Sequence, residues 1–370
     1  MSYKKNNILK KLEIEVIIFC KVIDNFGDAG FCYRIAKCFS LFVKNVFIYT
    51  NNIELFEQMK FNKTKILSNR VYKNLKFRNY NLCIEDYCSK NKYFVIELFQ
   101  SKPPDSFLQL LDSNLSSKRI ILDHLTTENW ADSFQGNNAL DPNLLISLPN
   151  KNGPSISRKW FAPGFSKKSS GLPKEEWVKA NRRQRELLRK FLLSSPETTY
   201  HGKLNDIENV FIICKFTYSN IPFIFNAVPK GFNSVAIWNP KKIVMSQREF
   251  DVALQSCDFN IVRGEDSFVS AHYASSSNWK VPFVWQPYPQ EKSAHSLKLL
   301  GWKSQFSNIE IESYWNFTDI LLNQEIEGLS YEWQNIVLNW SELKNLMHLN
   351  CSKIFGQKSL IESLIRSFIK

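Results

Sequence analysis

The stretch Cys257-Asp258-Phe259-Asn260-Ile261-Val262-Arg263-Gly264-Glu265-Asp266-Ser267-Phe268-Val269-Ser270-Ala271 predicts a strand, a tight turn and the start of a helix. The largely apolar run over residues 259–262 would be the strand, and the turn would fall at Gly264. Asp266 or Ser267 would be the N-cap, because short polar side chains accept hydrogen bonds from the first free amides of a helix. This stretch therefore predicts an α/β unit with a ligand site above its strand end.

The turn suits a phosphate, because the first-turn amides of a helix attract anions. Arg263 is the one basic residue of the turn that can meet such a charge. Glu265 and Asp266 cannot both lie against the same phosphates without repulsion, so one of them would accept hydrogen bonds from sugar hydroxyls. The alternative interpretation is an ordinary turn with a capping Asp-Ser pair.

Length and composition indicate a globular protein of about two domains. The chain has 370 residues, of which 44% are hydrophobic and 14% aromatic, which excludes a disordered protein. Lys and Arg outnumber Asp and Glu by 48 to 35, and the net charge of +13 favours an acidic partner. The basic residues are scattered and form no Arg-rich tract, so we expect no direct nucleic-acid binding.

The cysteines and histidines predict neither disulfides nor a metal site. The eight cysteines form no C-x-x-C motif, and free thiols in a reducing compartment suggest a cytoplasmic protein. The five histidines show no metal-ligand spacing. The apolar run over residues 16–20 is too short for a signal peptide or a membrane span, so we expect no membrane association.

A second strand-loop-helix pattern lies near the start of the chain. An apolar strand over residues 12–20 leads into a loop with Asp24 and Asp28, and a helical pattern follows. The loop is not G-x-G-x-x-G, and two carboxylates would repel a diphosphate, so it would suit a cation or a hydroxyl-rich group. The alternative is that Asp24 or Asp28 only caps the helix.

Apolar strands recur in a βα rhythm, which predicts two successive α/β domains. The expected strands cover residues 46–49, 93–98, 119–122, 210–216, 234–238, 243–245, 260–262 and 282–285, with a boundary between Gly171 and Asn205. Phe216 and Tyr218 alternate along one strand end, where they could stack a nucleobase or pack against a helix. His124 has no partner fixed by spacing, so we expect a hydrogen-bonded structural histidine.

Four segments of the chain match one known family when they are taken together. They are Cys20-Lys21-Val22-Ile23-Asp24-Asn25-Phe26-Gly27-Asp28-Ala29-Gly30 and residues 161–165, 257–269 and 282–295. In content and order they resemble the EarP family, the protein-arginine rhamnosyltransferases that modify bacterial elongation factor P. The resemblance implies an α/β GT-B glycosyltransferase fold, with two Rossmann-like domains that face each other across a cleft.

The expected domains are an N-terminal acceptor domain over residues 1–180 and a nucleotide-sugar domain over residues 181–345. A C-terminal helix over residues 346–370 would return to the N-terminal domain. The resemblance implies an inverting, metal-independent glycosyltransferase that needs no cofactor. Its donor substrate would be dTDP-β-L-rhamnose, and its acceptor would be an arginine side chain of elongation factor P.

The resemblance also assigns site residues by motif. The residues expected around the nucleotide are Phe216, Tyr218, Gln247, Arg263, Asp266, Ser267 and Tyr288, and those expected to be needed for the reaction are Asp24, Asp28 and Glu265. The chain departs from the family pattern at Val244, where an aromatic residue is usual, and in a longer stretch over residues 275–280.

A protonated guanidinium, with a pKa of about 13.8, is a poor nucleophile, so an acceptor arginine needs a carboxylate that orients it and weakens its hold on a proton. Our hypothesis is that Asp24 is this group and that Asp28 holds the loop or shares the acceptor. Arg263 and the helix amides would stabilise the departing dTDP, and Glu265 would bind donor hydroxyls. The alternatives are a non-catalytic GT-B module that binds a nucleotide or a translation factor, and a glycosyltransferase with another sugar nucleotide and acceptor.

Overall fold

A parallel β-sheet forms the core of the N-terminal half. The computed structural model describes residues 11–62, 64–114, 116–139, 158–201, 209–218, 225, 227–240, 245–288 and 294–369. The strands of the first sheet are β1 (Leu12–Cys20), β2 (Val43–Thr50), β3 (Leu75–Asn79), β4 (Tyr93–Leu98), β5 (Lys118–Leu122) and β6 (Arg158–Phe161). They lie in the order β3-β2-β1-β4-β5-β6. Strand β1 is buried from Ile14 onward, as its continuous apolar sequence predicts for a central parallel strand.

The helices of this half are α1 (Asn25–Phe39), α2 (Ile53–Lys60), α3 (Asp105–Asp112) and α4 (Trp130–Phe134). Residues 29–39 of α1 are buried without exception. A helix that is buried on all sides lies between two layers of protein, and α1 packs both on the first sheet and on a helix of the second half. The start of this helix, with Asp24 at the N-cap and Asp28 in the first turn, is therefore held at the junction of the two halves.

The second sheet contains β7 (Thr198–His201), β8 (Val210–Lys215), β9 (Ser234–Trp238), β10 (Phe259–Arg263) and β11 (Phe283–Gln286). Its order is β11-β10-β8-β9-β7, and β7 is antiparallel to β9 while the other pairs are parallel. The predicted strands are confirmed where the structure describes them, except at Phe216 and Pro282, which lie just outside β8 and β11, and at Met245, which lies in a bend. The rest of that predicted strand, residues 243–244, falls outside the described residues.

The helices of the second half are α5 (Arg182–Leu193), α6 (Gln247–Ser256), α7 (Asp266–Ser276), α8 (Ala294–Gln305), α9 (Glu312–Asn323), α10 (Leu329–Leu338), α11 (Trp340–Gly356) and α12 (Leu360–Ile369). Helix α12 lies against the first sheet, where the ring of Phe368 is 5.2 Å from that of Phe94. An isolated β-bridge between Leu172 and Ser359 also joins the segment before α12 to the segment that follows β6. The domain limits at residues 180 and 345 stay a prediction.

Two helix starts differ from the sequence prediction. The N-cap of α7 is Glu265 rather than Asp266 or Ser267, and its side chain makes no capping hydrogen bond. The reason is that the Glu265 carboxylate is directed to the other half of the molecule. The basic, amphipathic pattern over residues 174–191 predicts a helix from Lys174, but α5 begins only at Arg182, because Asn181 and Gln184 form a capping box there.

The two sheets enclose a cleft at the carboxyl ends of β1 and β10. The loop after β1 carries Asp24, and the loop after β10 carries Gly264, where a Cβ atom would lie 4.0 Å from Asp24 Oδ2. Strand ends of this kind are where open α/β sheets bind ligands. The arrangement confirms the predicted α/β GT-B fold, with two domains that face each other across a cleft.

Among the described residues, no helix combines the length and the apolar character that crossing a membrane requires. All eight cysteines are free, and only Cys88 is exposed. The described part of the chain holds no group of three or more His, Cys, Asp or Glu side chains arranged to bind a metal ion.

Candidate active site

The cleft has a volume of about 260 Å³ and is lined by both domains. The N-terminal domain contributes Asp24, Asn25, Phe26, Gly27, Gly30 and Met59, and the C-terminal domain contributes Phe216, Tyr218, Gln247, Phe250, Arg263, Gly264, Asp266 and Ser267. Seven of the ten predicted site residues therefore line one cavity. The other three, Asp28, Glu265 and Tyr288, lie beside it and contact residues of the cleft or of its loops.

Asp24 occupies the N-cap position of α1, but its side chain does not cap the helix. Space for the carboxylate depends on Gly27, where a Cβ atom would lie only 2.6 Å from Asp24 Oδ2. Partial burial raises the pKa of Asp24, and Asp28 raises it further, while Arg263 lowers it. The result is a carboxylate that binds a proton more tightly than an ordinary aspartate does.

Asp28 holds the loop that carries Asp24. Its Oδ2 accepts hydrogen bonds from the backbone amides of Ile23 and Asp24, each at 2.8 Å. An acceptor that takes two amides of the same turn fixes the backbone of that turn. This geometry agrees with the loop-holding part of the hypothesis for Asp28, and the next residue, Asn25, takes a positive φ of 37°.

Arg263 is held between aromatic rings at the other side of the cleft. Its guanidinium lies 4.5 Å from the ring centre of Phe216 and 4.7 Å from that of Tyr218, and Nη1 donates a 3.0 Å hydrogen bond to the Thr217 carbonyl. The Tyr218 ring in turn meets Tyr288 edge to face at 5.3 Å. Arg263 is thus a fixed positive charge at the end of β10, as an anion site requires.

The Tyr218 hydroxyl is buried and has no hydrogen-bond partner among the described residues. Its ring is positioned from the backbone, because the Tyr218 amide donates a 2.8 Å hydrogen bond to Gln286 Oε1. Burial raises the pKa of Tyr218, and the nearby Asp24 raises it further, so the hydroxyl keeps its proton. An unpaired buried hydroxyl in a cleft is a group that a ligand can satisfy.

Gln247 and Asp266 take part in a buried polar cluster between the domains. Gln247 Nε2 donates to the Gly30 carbonyl at 2.6 Å and to Asp266 Oδ2 at 2.9 Å, while its Oε1 has no partner in the described part of the chain. Arg34 binds Asp266 at 2.6 Å and Asp251 at 2.9 Å. Burial alone would lower the pKa of Arg34, but the two carboxylates raise it above its ordinary value. Asp266 thus binds a protein cation rather than standing free in the cleft.

Ser267 also uses its side chain within the protein, because its hydroxyl donates to the Arg263 carbonyl one helical turn earlier. The first four amides of a helix have no carbonyl partner inside the helix. At the start of α7 the groups best suited to an anion are therefore backbone amides, not the hydroxyl of Ser267.

Glu265 reaches across to the N-terminal domain. Its Oε1 lies 2.9 Å from His124 Nδ1, and its Oε2 accepts a 2.9 Å hydrogen bond from the Leu125 amide. Both partners of the carboxylate are in the loop that follows β5. The carboxylate is only 16% exposed, so its position is set by this loop.

Several residues of the site are missing from the sequence prediction. Gly27 and Gly30 leave room for the carboxylates of Asp24 and Asp266, and Gly264 leaves room for the Tyr218 hydroxyl. Their place after two strand ends is a signal in the sequence. Arg34 stands among apolar neighbours in α1, and a charge there signals a buried partner. The contact between His124 and Glu265 had no sequence signal, because it joins loops 141 residues apart. Val244 lies outside the described residues.

Comparison with known proteins finds one family over most of the chain. A family model described as elongation factor P (EF-P) rhamnosyltransferase EarP matches residues 16–230 and 242–370. A protein-arginine rhamnosyltransferase of Shewanella oneidensis is 25% identical over 380 residues, covering 90% of this chain and 91% of its own. The corresponding proteins of Pseudomonas putida and Neisseria meningitidis are 23% and 26% identical, with 95% and 76% of this chain covered, and 97% and 76% of their own.

Two solved structures align with most of the chain at low similarity. One is described as the structural basis for EarP-mediated arginine glycosylation of translation elongation factor EF-P. It has 16% identity and a TM-score of 0.38, and covers 95% of this chain and 97% of that one. The other is a UGT transferase from Siraitia grosvenorii in complex with UDP, with 8% identity, a TM-score of 0.46 and coverage of 96% and 99%.

Proposed function

The chain belongs to the EarP family of elongation factor P rhamnosyltransferases, and we propose that it transfers L-rhamnose from dTDP-β-L-rhamnose to an arginine side chain of elongation factor P. The observation that carries the proposal is the cleft in which Asp24 of one domain faces Arg263 and Tyr218 of the other. A carboxylate opposite a fixed cation matches the two charges that this reaction must handle, a guanidinium acceptor and a diphosphate leaving group.

Asp24 acts on the acceptor arginine. A guanidinium has a pKa of about 13.8, so its nitrogen attacks only when a base takes its proton during the reaction. The Asp24 carboxylate accepts that proton, and its raised pKa makes it a stronger base than an exposed aspartate. The nitrogen then bonds to the anomeric carbon of rhamnose from the face opposite the leaving group, which gives inversion.

Arg263 and the first amides of α7 receive the charge of the departing dTDP. As the bond between the anomeric carbon and the diphosphate oxygen breaks, its electron pair stays on the diphosphate. Arg263 is pinned by two rings and a carbonyl, so it needs no reorganisation as the charge develops. These groups supply the positive charge that a metal supplies elsewhere, so we propose a reaction that needs no metal or other cofactor.

The nucleotide binds to the C-terminal side of the cleft. Phe216, Tyr218 and Tyr288 offer aromatic surface, and the unpaired Tyr218 hydroxyl and Gln247 Oε1 offer hydrogen bonds. The net charge of +13 supports an acidic protein acceptor, because opposite charges speed association. The acceptor is a translation factor, so we place the reaction in the cytoplasm.

Intact mass measurement of elongation factor P tests the proposal. After incubation with the protein and dTDP-L-rhamnose, the factor is expected to gain the mass of one deoxyhexose. With Asp24→Ala the gain should disappear, while dTDP-rhamnose still raises the melting temperature of the variant. A wild-type protein that binds the donor but leaves the mass unchanged would contradict the proposed acceptor. A gain that persists in Asp24→Ala would contradict the role of Asp24.

A further inference from the structure

Glu265 is fixed by a histidine of the opposite domain. Its two carboxylate oxygens are bound by His124 Nδ1 and by the Leu125 amide, each at 2.9 Å. Glu265 lies between Gly264, which lines the cleft, and the first turn of α7. The direction of the carboxylate and the position of the helix start therefore depend on the loop that carries His124.

The His124 ring is held in place by stacking on the ring of Phe99. It stacks on Phe99 with the ring centres 4.3 Å apart and an angle of 11° between the planes. Phe99 and the next residue, Gln100, have φ of 52° and 60°, in the left-handed region that side chains rarely adopt. Strained backbone of this kind persists where the surrounding structure imposes it and is concentrated at functional sites. Here the turn presents the Phe99 ring to His124.

A purely structural role explains little of this arrangement. The His124 side chain is 46% exposed, so its ring contributes little to a core. Its hydrogen bond leads to Glu265, and the described residues offer its side chain no other. By contrast, His272 is fully buried and hydrogen-bonded to the Phe268 carbonyl, as a structural histidine is.

Three charged groups face His124. They are Glu265 at the start of α7, Lys298 on α8 and Asp123 on the same loop as the histidine. Burial is the largest single effect and lowers the pKa of His124, and Lys298 lowers it as well. The hydrogen bond to Glu265, the negative charge of Glu265 and that of Asp123 together outweigh them, so the pKa is raised above its ordinary value. The charged pair is thus complete at pH below 6.5 and is lost as the pH rises through the raised pKa.

We infer that His124 is a positioning residue: its Nδ1 hydrogen, held over Phe99, fixes the Glu265 carboxylate beside the cleft in the orientation that sugar transfer requires. The inference rests on the proposed function and deepens it. His124 does not line the cleft and acts only through Glu265. The protonated ring is the stronger donor, because hydrogen bonds between two charged groups exceed neutral ones.

NMR titration of the imidazole signals tests the contact without any turnover. The chain has five histidines, so the His124 signal can be assigned by its loss in His124→Gln. In Glu265→Gln the pKa of His124 is expected to fall, because the partner that raises it has lost its charge. An unchanged pKa would overturn the inference, whether or not the protein transfers rhamnose.

Kinetics then test the positioning role. His124→Phe keeps the stacking ring and removes the donor, whereas His124→Gln keeps an N–H donor without a titrating charge. We expect His124→Phe to lower kcat about tenfold, as the loss of one charge-assisted hydrogen bond predicts, with the KM for the donor within about twofold of wild type. We expect wild-type activity to fall as the pH rises through the pKa of His124. His124→Gln should recover most of the rate and should not show this fall, because glutamine does not titrate.

A double variant separates this role from a structural one. If His124 acts through Glu265, the variant His124→Phe with Glu265→Gln should be no slower than Glu265→Gln alone. Additive effects, or a wild-type kcat in His124→Phe, would overturn the inference. A wild-type protein that transfers no rhamnose would count against the proposed function, and the NMR titration would still decide whether the contact exists.

Discussion

Two polar atoms in the cleft, the Tyr218 hydroxyl and Gln247 Oε1, are buried without a hydrogen-bond partner among the described residues. Leaving such a group unpaired costs about 1–3 kcal/mol, and in a cleft a ligand can supply the missing partner. Both residues belong to the C-terminal side of the cleft, which Arg263 also lines. They therefore mark the nucleotide half of the site more sharply than the aromatic rings around them do.

The variant Tyr218→Phe removes one of these atoms and keeps the ring. We expect the KM for dTDP-rhamnose to rise about tenfold, the value of one hydrogen bond, while the free protein becomes no less stable. Steady-state kinetics and thermal unfolding measure the two effects. The matched control is Tyr200→Phe. Tyr200 lies in the edge strand β7, and its hydroxyl donates a hydrogen bond to the Leu193 carbonyl, so this variant should lose stability with an unchanged KM. The same KM in both variants would show that the Tyr218 hydroxyl is not in the donor site.

At the residue level, the motifs located the site better than they located each side chain. Seven of the ten predicted residues line the cleft, because their motifs follow strand ends that meet at the domain junction. Asp266 was expected at the nucleotide but binds Arg34, and Glu265 was expected at the sugar but binds His124 and Leu125. The direction of a side chain depends on neighbours from the other domain, and the local sequence does not contain them.

The first turn of α1 contains a glycine, Gly27, whose missing side chain leaves room for Asp24. Gly27 belongs to this helix although glycine weakens a helix by about 1 kcal/mol relative to alanine. The compensation is the space for Asp24, whose Oδ2 would be 2.6 Å from a Cβ at position 27. The helix therefore trades local stability for the position of a carboxylate in the cleft.

The variant Gly27→Ala separates these two effects. Alanine favours the helix, so stability should stay level or rise, but the displaced Asp24 should lower kcat at least about tenfold, since a shift of 1 Å in a reacting group can cost a hundredfold. Gly356→Ala is the matched control. Gly356 is also a helical glycine, the last residue of α11, and a Cβ atom there would meet nothing within 4 Å. Wild-type turnover in Gly27→Ala would mean that the position of Asp24 does not limit the reaction.

The elements that the sequence did not predict have a common physical cause. Strands β3 and β7 are the edges of their sheets, and their alternating or partial burial gives no continuous apolar run. Apolar residues recur at helical spacing over residues 331–349, which predicts one helix, but the structure has two, α10 and α11. Asn339 interrupts the helix with φ of −99° and ψ of 19°, while the apolar periodicity continues on both sides. Periodicity predicts which face is buried, but it does not show where a backbone bends.

At the scale of the whole molecule, the domains meet through a continuous apolar core and through a cluster of buried polar groups beside the cleft. Arg34 binds Asp251 and Asp266, and its guanidinium also lies 4.3 Å from the ring centre of Trp177. Thr64 donates from its amide to Glu249 at 2.7 Å, across the same junction. Buried ion pairs add little net stability but demand exact geometry, so this cluster fixes one arrangement of the domains.

The variant Arg34→Met tests that role. It leaves the buried carboxylates of Asp251 and Asp266 without their cation, and breaking a buried pair in this way costs about 3–5 kcal/mol. Urea unfolding should therefore show a loss of that size, and the KM for the donor should rise because Asp266 holds Gln247. Arg182→Met is the matched control, since Arg182 is 88% exposed and its pair with Glu186 should contribute no more than about 0.5 kcal/mol. If Arg34→Met lowers the free energy of unfolding by less than about 1 kcal/mol, the loss is well short of the cost of breaking a buried pair. The cluster would then relax when its cation is removed, and it would not fix the domain arrangement.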